Sequence, residues 1–252
     1  RRQRQMCIRD RHLIMPMAGE GSRFIKEGYI QPKPLIEYQG IPLFMRAVNS
    51  LNDIHVPRKY SFIVRKEHII THHIDQIIKE KIPEAQIYTV DKTTRGAVET
   101  CLIAEAGIAK DDAILVMDCD LEFHSSNYNK IIRNIINDPA NSIEGVLLSF
   151  TSDDPRYSYA LTSGDFVIRT AEKEVISNHA LIGSYFFSKS SSFLQAAHSL
   201  LDDTNHNKPE FYVSLLYNYL IQQNKKIRLS VCEQYSSYGT PEELNKMLNQ
   251  TK

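Results

Sequence analysis

Apolar runs and amphipathic stretches alternate along the first half of the chain. The strand-like runs, which are apolar and bounded by turn residues, are residues 12–17, 60–65, 85–90 and 112–118. The stretches with helical spacing of their apolar positions are residues 42–51, 67–80 and 95–108. Alternation of strands and helices at this pitch predicts βαβ units around a mostly parallel sheet.

The longest amphipathic stretch, residues 67–80, is predicted to form one helix. Its apolar side is expected to carry Ile69, Ile70, Ile74, Ile77 and Ile78. His68 and His72 have the i, i+4 spacing of a metal-binding pair, but no HExxH motif and no third ligand is evident in the sequence. We therefore interpret the two histidines as part of the polar face of this helix.

The pattern changes after about residue 142, where short strands separated by turn signals dominate. The strand-like runs there are residues 144–150, 158–162, 166–170, 181–187 and 226–231. Helical spacing is found in residues 191–201 and 210–223, and Thr240, Pro241 and Glu243 form the capping box of a terminal helix. No repeat or linker is evident, so we predict one domain whose irregular second half covers the first.

The composition is that of a globular protein, with 252 residues, 42% hydrophobic and 24% charged. The formal net charge of zero gives no reason to expect nucleic acid or an anionic membrane as a partner. No apolar run approaches the ~20 residues that span a bilayer. The four cysteines form no CxxC pair, which predicts the reducing environment of the cytoplasm and no disulfide framework.

Residues 1–11 do not fit the pattern that follows them. RRQRQMCIRDR is basic and aperiodic, and MCIRDR matches one reading frame of a common sequencing adapter. We therefore expect residues 1–11 to be a non-native leader, while the alternative is a short basic targeting arm. This segment holds five arginines and one aspartate, so without it the 30 basic and 30 acidic residues become 25 and 29, a net charge of −4.

The loop after the first strand has the features of an anion-binding site. Gly19 and Gly21 in AGEGSRF allow a ligand to approach the backbone closely, and successive backbone N–H groups in such a loop form an anion-binding concavity. Arg23 adds a forked donor suited to phosphate, and two prolines stiffen the backbone around Lys33. We interpret the two cations as converging on a polyphosphate. The alternative is a tight turn beside a solvated lysine, and the motifs GxxxxGK[ST] and GxGxxG are both absent.

Two acidic residues mark the end of the buried strand at residues 112–118. Asp118 and Asp120 in MDCD are separated by one residue, so both side chains point the same way from an extended chain. Such residues at the ends of parallel strands face the ligand crevice. Mg²⁺ takes one or two carboxylates and completes its shell with phosphate oxygens. This arrangement predicts a Mg²⁺ site, and the alternative is an acidic turn that caps a helix.

Together these segments resemble the sugar-phosphate nucleotidyltransferases, the enzymes that make NDP-sugars. The opening AGEGSRF…PKPLIEYQGIPL is similar to their Gly-rich loop, PKPL motif and G-x-P helix start. Later segments resemble further motifs in the family's order: TTRGAVETCLIA, ILVMDCD, AEKEVISNHALIGSYFF, PEFYVSLLYNYLI and YGTPEEL. The resemblance covers nearly everything after residue 12. It implies that residues 12–252 form a single Rossmann-like α/β domain of the nucleotide-diphospho-sugar transferase type, with a mixed, mostly parallel sheet flanked by helices.

The resemblance also implies roles for individual residues. The catalytic residues would be Arg23 on the β- and γ-phosphates, Lys33 on the α-phosphate or the attacking phosphate, and Asp120. The nucleotide would contact Ala18, Gly19, Gly21, Ser22, Gly96 and Ala97, the two last because they let the base and ribose come close. The second substrate would contact Glu172, Lys173, Gly183 and Glu210. The metal ligands for Mg²⁺ would be Asp118 and Asp120.

Two departures from the family pattern bear on these roles. Many relatives carry a second metal-binding aspartate in a W-x-D-x-G-T segment, whereas this chain reads YSSYGT and has Ser237 in that place. The metal is therefore expected to depend on Asp118 and Asp120. Relatives also have Glu-Lys-Pro where this chain has a Glu-Lys-Glu sequence ending at Glu174, which changes the acceptor side of the expected site.

The function implied by the resemblance is nucleotidyl transfer. A nucleoside triphosphate would react with a sugar 1-phosphate, or a similar small phosphate ester, to release pyrophosphate and give an NDP-sugar for surface polysaccharide synthesis. One alternative is a glycosyltransferase of the same fold, which would use the Asp-x-Asp acids to bind a finished nucleotide-sugar. The other alternative is a non-catalytic relative that has kept the nucleotide pocket. The sequence does not indicate the base, the acceptor or the oligomeric state.

Overall fold

The computed structural model describes residues 11–54, 59–138 and 140–250, the last residue by its backbone alone. Residues 1–10, most of the expected leader, lie outside the described residues. Arg11 is described, as the first residue of a strand in which it pairs with Ala113. The sheet therefore begins one residue inside the expected leader. Arg11 belongs to the basic run of the sequence and was therefore expected in the leader. Strand pairing uses backbone groups, so a basic side chain does not prevent it.

The elements alternate as the apolar pattern predicts. The strands of the described residues are β1 (Arg11–Met17), β2 (Glu37–Tyr38), β3 (Ile41–Pro42), β4 (Lys59–Arg65), β5 (Gln86–Val90), β6 (Ala113–Met117), β7 (Leu121–His124), β8 (Ile143–Thr151), β9 (Ser158–Ser163), β10 (Phe166–Glu172), β11 (His179–Phe187), β12 (Lys226–Val231) and β13 (Gln234–Ser237). The α-helices are α1 (Ser22–Lys26), α2 (Leu43–Asn49), α3 (Lys66–His72), α4 (Ile74–Lys81), α5 (Ala97–Leu102), α6 (Ser126–Asn137), α7 (Ser190–Leu201), α8 (Leu216–Gln222) and α9 (Pro241–Gln250).

The main sheet has the strand order β5-β4-β1-β6-β11-β8-β12-β10-β9. Strands β5, β4, β1 and β6 run parallel to one another, and β12 is parallel to β8. Strands β11 and β10 run antiparallel to their neighbours. The mixed α/β fold with helices around a central sheet is therefore confirmed, and its four adjacent parallel strands come from the first half of the chain.

The central strands of the sheet are buried on both faces, which explains why they are continuous apolar runs. Leu13 and Met15 of β1 belong to one layer of the core, together with residues of α2, α4 and α6. Ile14 belongs to the opposite layer, together with residues of α5, α7 and α8. Successive residues of a strand point to opposite faces. The packing of β1 thus fixes the sheet between two helical layers.

The helix predicted over residues 67–80 is wrong in two respects. It is divided into α3 and α4 at His73, whose φ of 51° lies in the left-handed region and ends the first helix. Ile70 is exposed, because the change of direction leaves it on the outer side of α3, whereas Ile74 and Ile78 are buried. The spacing of the apolar residues alone did not indicate this break, because the β-branched residues are compatible with both α3 and α4.

A second, smaller sheet escaped prediction from the sequence. Strands β7 and β13 pair antiparallel, with Leu121 opposite Ser237. Each strand has four residues, too short for its period to be recognised. This pairing joins the segment after β6 to the segment before α9, and it brings the acidic turn and YSSYGT together. Among the described residues, no helix is long and apolar enough to cross a bilayer.

His12 supplies a prediction about stability. The residue is fully buried in β1, and its Nε2 lies 2.6 Å from Ser61 Oγ. Burial, with a smaller contribution from the charge of Lys59, lowers the pKa of His12 from 6.5 to about 4. The folded state therefore binds a proton on His12 less readily than the unfolded state does. The contribution of neutral His12 to the free energy of unfolding is complete above pH 6.5 and is lost as the pH falls towards about 4.

We expect the wild type to lose about 2 kcal/mol of unfolding free energy between about pH 7 and about pH 5, relative to His12→Gln, which does not titrate. Urea unfolding of both proteins at the two pH values measures this difference, and contributions from other titrating groups cancel in the comparison. Parallel pH profiles for the two proteins would contradict the assignment.

Candidate active site

The site is built where β1 ends between its neighbours β4 and β6, the place where open α/β sheets bind ligands. Residues 18–21 leave the strand and lead into α1. Gly21 has φ of 64°, a left-handed conformation that favours glycine, and a Cβ there would lie 3.7 Å from Lys33 Cβ. The Gly-rich loop and the lysine segment therefore pack directly against each other.

Lys33 and Asp120 form an ion pair in this site. Lys33 begins a 3-10 turn whose Pro34 and Leu35 are buried, and its Nζ donates to Asp120 Oδ2 at 2.8 Å. Burial works against both charges, but the partner outweighs it in each case. The pKa of Lys33 is consequently raised above its usual value, and the pKa of Asp120 is lowered below its usual value. Both groups are held in their charged forms.

Asp118 lies beside this pair and is held against β11. Its backbone N–H donates to the carbonyl of Gly183 at 2.8 Å, and a Cβ on Gly183 would overlap Asp118 Oδ2. The missing side chain of Gly183 therefore leaves room for this carboxylate, and a contact between Gly183 and the substrate stays a prediction. Burial, followed by the charge of Asp120, raises the pKa of Asp118 to about 7, although Lys33 offsets part of the shift.

Two adjoining cavities border these residues. One, of about 370 Å³, we call the aspartate cavity; it is lined by both aspartates and by Glu172, Lys173 and Tyr212. The other, of about 490 Å³, we call the loop cavity; its wall includes Gly19, Gly21, Ser22 and Lys33. The residues that line both cavities are Arg23, Glu210 and Gly239. The sequence-predicted cations and acids thus meet at one junction.

Arg23 lies at this junction of the two cavities. Its side chain is exposed, and within the described ranges it has no hydrogen bond or ion pair. The guanidinium therefore remains available for an anion that spans the two cavities. A forked donor in this position suits a phosphate group better than a single carbonyl or hydroxyl.

The wall of the aspartate cavity also contains the predicted acceptor residues. Glu172 is buried and accepts hydrogen bonds from the hydroxyls of Ser158 and Ser214, the latter at 2.9 Å. Burial raises the pKa of Glu172, and the two hydroxyl donors reduce the shift. Lys173 is exposed and donates from Nζ to the hydroxyl of Tyr212 at 2.9 Å. Glu172 and Lys173 are therefore adjacent in sequence but lie in different environments, one buried and one exposed.

The packing around Gly96 requires a glycine, whether or not the predicted nucleotide contact is made. A Cβ there would lie 2.5 Å from the backbone N of Phe211, so the missing side chain admits another part of the chain. Ala97 does line the aspartate cavity. Ala18 is buried at the end of β1, and neither Ala18 nor Gly96 is among the described residues that line the two cavities. Contact between the nucleotide and these two residues stays a prediction.

Sequence reasoning missed several residues of the aspartate cavity. Arg156 and Tyr157 lie between β8 and β9, in one of the segments with turn signals, and Tyr185 and Tyr235 come from strands. Glu243 was recognised only as part of a capping box. The Pro-Arg-Tyr sequence offered a weak local signal, but the placement of Glu243 depends on the β7–β13 pairing and offered none.

The donor set around the aspartates fits a hard divalent cation. Two carboxylates face one cavity, and no side-chain hydrogen bond to Asp118 is found among the described residues. Oxygen ligands of this kind suit Mg²⁺, which completes its shell with water and phosphate oxygens. In the part of the chain that the structure describes, no three His, Cys, Asp or Glu side chains come close enough to hold a metal by themselves. Asp118 and Asp120 would therefore be the direct protein ligands.

Comparison with solved structures supports the same fold. A nucleoside-diphosphate-sugar pyrophosphorylase from Vibrio cholerae RC9 is 28% identical, with a TM-score of 0.81 over 94% of this chain and 100% of the other. A putative glucose-1-phosphate thymidylyltransferase from Bacillus anthracis, in complex with a sucrose, is 18% identical, with a TM-score of 0.74 over 95% and 94%. A UDP-glucose pyrophosphorylase complexed with UDP-glucose is 16% identical, with a TM-score of 0.74 over 96% and 98%.

The two more distant structures show the shared fold alone. A search of curated proteins gave no match. A family model described as "Nucleotidyl transferase" matches residues 13–246. This match extends from β1 into α9 and includes every residue of the site described above. The chain therefore belongs to the nucleotidyl transferase family and is a nucleotidyltransferase.

Proposed function

We propose that this enzyme transfers a nucleotidyl group from a nucleoside triphosphate to a sugar 1-phosphate, or a similar small phosphate ester, with Mg²⁺-dependent release of pyrophosphate. The observation that carries the proposal is the guanidinium of Arg23, which lies at the junction of the loop and aspartate cavities and makes no hydrogen bond or ion pair with the described residues. A triphosphate brings several negative charges that must be neutralised. A ligand that reaches from one cavity into the other passes both Arg23 and Lys33.

One bond forms and one bond breaks in the proposed reaction. An oxygen of the acceptor's phosphate attacks the α-phosphorus, and the bond from that phosphorus to the oxygen bridging the β-phosphate breaks. Pyrophosphate leaves with the bridging oxygen. Because the second pKa of a phosphate monoester is ~6, the attacking oxygen is already ionised at neutral pH and needs no general base. Catalysis then consists of in-line placement and charge neutralisation.

The described residues divide this work between them. Arg23 holds the β- and γ-phosphates, while the backbone N–H groups of residues 19–22 approach the triphosphate from the loop. Lys33, kept cationic by Asp120, neutralises the α-phosphate or the acceptor's phosphate. Bound Mg²⁺ would neutralise charge on the triphosphate and on departing pyrophosphate. Asp118 and Asp120 would hold this ion.

The acceptor is proposed to occupy the aspartate cavity. Its wall combines the cation of Lys173, suited to a phosphate, with the carboxylates of Glu172 and Glu210, suited to hydroxyl groups. The Vibrio cholerae protein, whose description names a nucleoside-diphosphate sugar, supports a sugar 1-phosphate as the acceptor. The product would be an activated sugar, which we propose is made in the cytoplasm and consumed in surface polysaccharide synthesis.

The proposal is tested by measuring pyrophosphate release with each common nucleoside triphosphate against a panel of phosphate esters. We expect release to require Mg²⁺, one preferred triphosphate and one preferred ester, among which sugar 1-phosphates lead and phosphocholine serves as the comparison. A non-catalytic relative would bind nucleotide without release. A glycosyltransferase would consume a nucleotide-sugar and release a nucleoside diphosphate instead. Either result would contradict the proposal.

A further inference from the structure

Three oxygen atoms converge on the space in front of Gly239. A Cβ placed on Gly239 would lie 3.1 Å from Asp120 Oδ2, 3.3 Å from Glu243 Oε2 and 3.6 Å from Ser237 Oγ. The missing side chain thus leaves an open space, here called the Gly239 gap, which borders both cavities. The carboxylates of Asp120 and Glu243 are neighbours across this gap.

The carboxylate of Glu243 is held in place from several sides. Its Oε2 accepts hydrogen bonds from Ser237 Oγ at 2.8 Å and from the backbone N–H of Thr240 at 3.1 Å. Its Oε1 accepts from the hydroxyl of Tyr157 at 3.4 Å and lies 3.7 Å from Arg156 Nη1. These contacts fix the Oε2 edge of the carboxylate towards the Gly239 gap.

The helix cap does not explain why residue 243 is charged. Glu243 completes the capping box of α9, in which its backbone N–H donates to Thr240 Oγ1 at 3.2 Å. A capping box needs a hydrogen-bond acceptor at this position, and Gln supplies one as well as Glu. The negative charge therefore adds something beyond the cap: it pairs with Arg156, and it stands in a cavity wall that already contains two aspartates.

We propose that Glu243 is an outer carboxylate of the divalent cation site, a positioning residue that raises cation affinity from across the Gly239 gap. The inference rests on the proposed function, because the cation is part of that proposal. Mg²⁺ keeps several water ligands in proteins, and carboxylates that face those waters strengthen binding without being ligands. Ser237 contributes through its hydroxyl, which orients Oε2.

The test measures Mn²⁺ binding to the full chain without nucleotide, from the loss of the paramagnetic resonance signal of free Mn²⁺. Glu243→Gln keeps the cap and removes the charge, and we expect it to raise the Kd for Mn²⁺ about tenfold or more. Glu242→Gln is the matched control: it is exposed, lies on the same turn of α9 and loses the same charge. We expect the control to change the Kd by less than about twofold, because screening weakens exposed charges.

Two further variants separate the possible outcomes. Ser237→Ala should weaken Mn²⁺ binding by less than Glu243→Gln, because the carboxylate remains but its edge is no longer fixed. Asp120→Asn reports on the cation site itself and should abolish binding. Equal Mn²⁺ affinities for Glu243→Gln and Glu242→Gln would overturn the inference while leaving the cation site in place. A wild-type chain that does not bind Mn²⁺ would overturn both the site and the inference.

Discussion

Asp120→Asn should abolish pyrophosphate release, and added Mg²⁺ should not restore it. Asp120 is the charged partner of Lys33, and its lowered pKa keeps it ionised in the site. The substitution removes the cation's anionic ligand and also leaves Lys33 without its partner. We expect a loss of at least about a hundredfold, the scale on which single electrostatic groups act in active sites. Initial rates of pyrophosphate release across a Mg²⁺ titration measure the effect.

Asp118→Asn should cost less and should recover much of its activity as Mg²⁺ is raised. Burial and the neighbouring charge of Asp120 raise the pKa of Asp118, whereas the pKa of Asp120 is lowered, so Asp118 is the less readily ionised of the two carboxyls. A neutral amide is therefore better tolerated at Asp118 than at Asp120, and the main loss is in cation affinity. Asp111→Asn, which changes an exposed residue in the turn before β6, should leave the rate unchanged. Equal losses for Asp118→Asn and Asp120→Asn would contradict the unequal roles.

Lys33→Ala should lower turnover by two orders of magnitude or more. Removal of one such electrostatic group costs ~3–4 kcal/mol of transition-state stabilisation, and Lys33 borders the loop cavity next to Arg23. The substitution also leaves the half-buried Asp120 without a cation, so its pKa should rise. Measurements of kcat and of thermal unfolding on the same sample separate lost catalysis from lost folding.

Lys26→Ala is the matched control for this variant. Lys26 lies exposed in the last turn of α1, close in sequence to the same loop, and it lines neither cavity. We expect it to retain wild-type turnover. A folded Lys33→Ala enzyme with near-normal kcat would place Lys33 outside the chemistry and would leave Arg23 as the principal phosphate-binding cation.

The loop at residues 18–23, Lys33 and Asp120 could be predicted from the sequence because each belongs to a short local pattern. The loop at residues 18–23 follows a strand whose burial on both faces is evident from its apolar run, and Lys33 and Asp120 lie next to recognisable motifs. Their direct ion pair was not predicted, since it joins residues 87 positions apart. Sequence spacing predicts that such groups lie at one end of the sheet, but it does not predict which of them are in contact.

The rest of the site was harder to predict because its geometry is created by long-range pairing. Glu243 reaches the cavity only because β13 pairs with β7, and strands of four residues carry too little periodicity to be read. Ligand contacts at Gly96 and Gly183 stay predictions, while a Cβ at these positions would also overlap Phe211 and Asp118, respectively. A glycine in a motif shows that something comes close, and only the packing identifies it.

The most direct test of the central claim follows the phosphorus atoms of a doubly labelled nucleoside triphosphate. With the preferred acceptor and Mg²⁺, the α-phosphorus label should appear in the nucleotide-sugar product and the γ-phosphorus label in pyrophosphate, in equal amounts. This result would place the attack at the α-phosphorus, as the positions of Arg23 and Lys33 predict. Transfer of the γ label to the acceptor, or its release as inorganic phosphate without an α-labelled sugar product, would contradict the account.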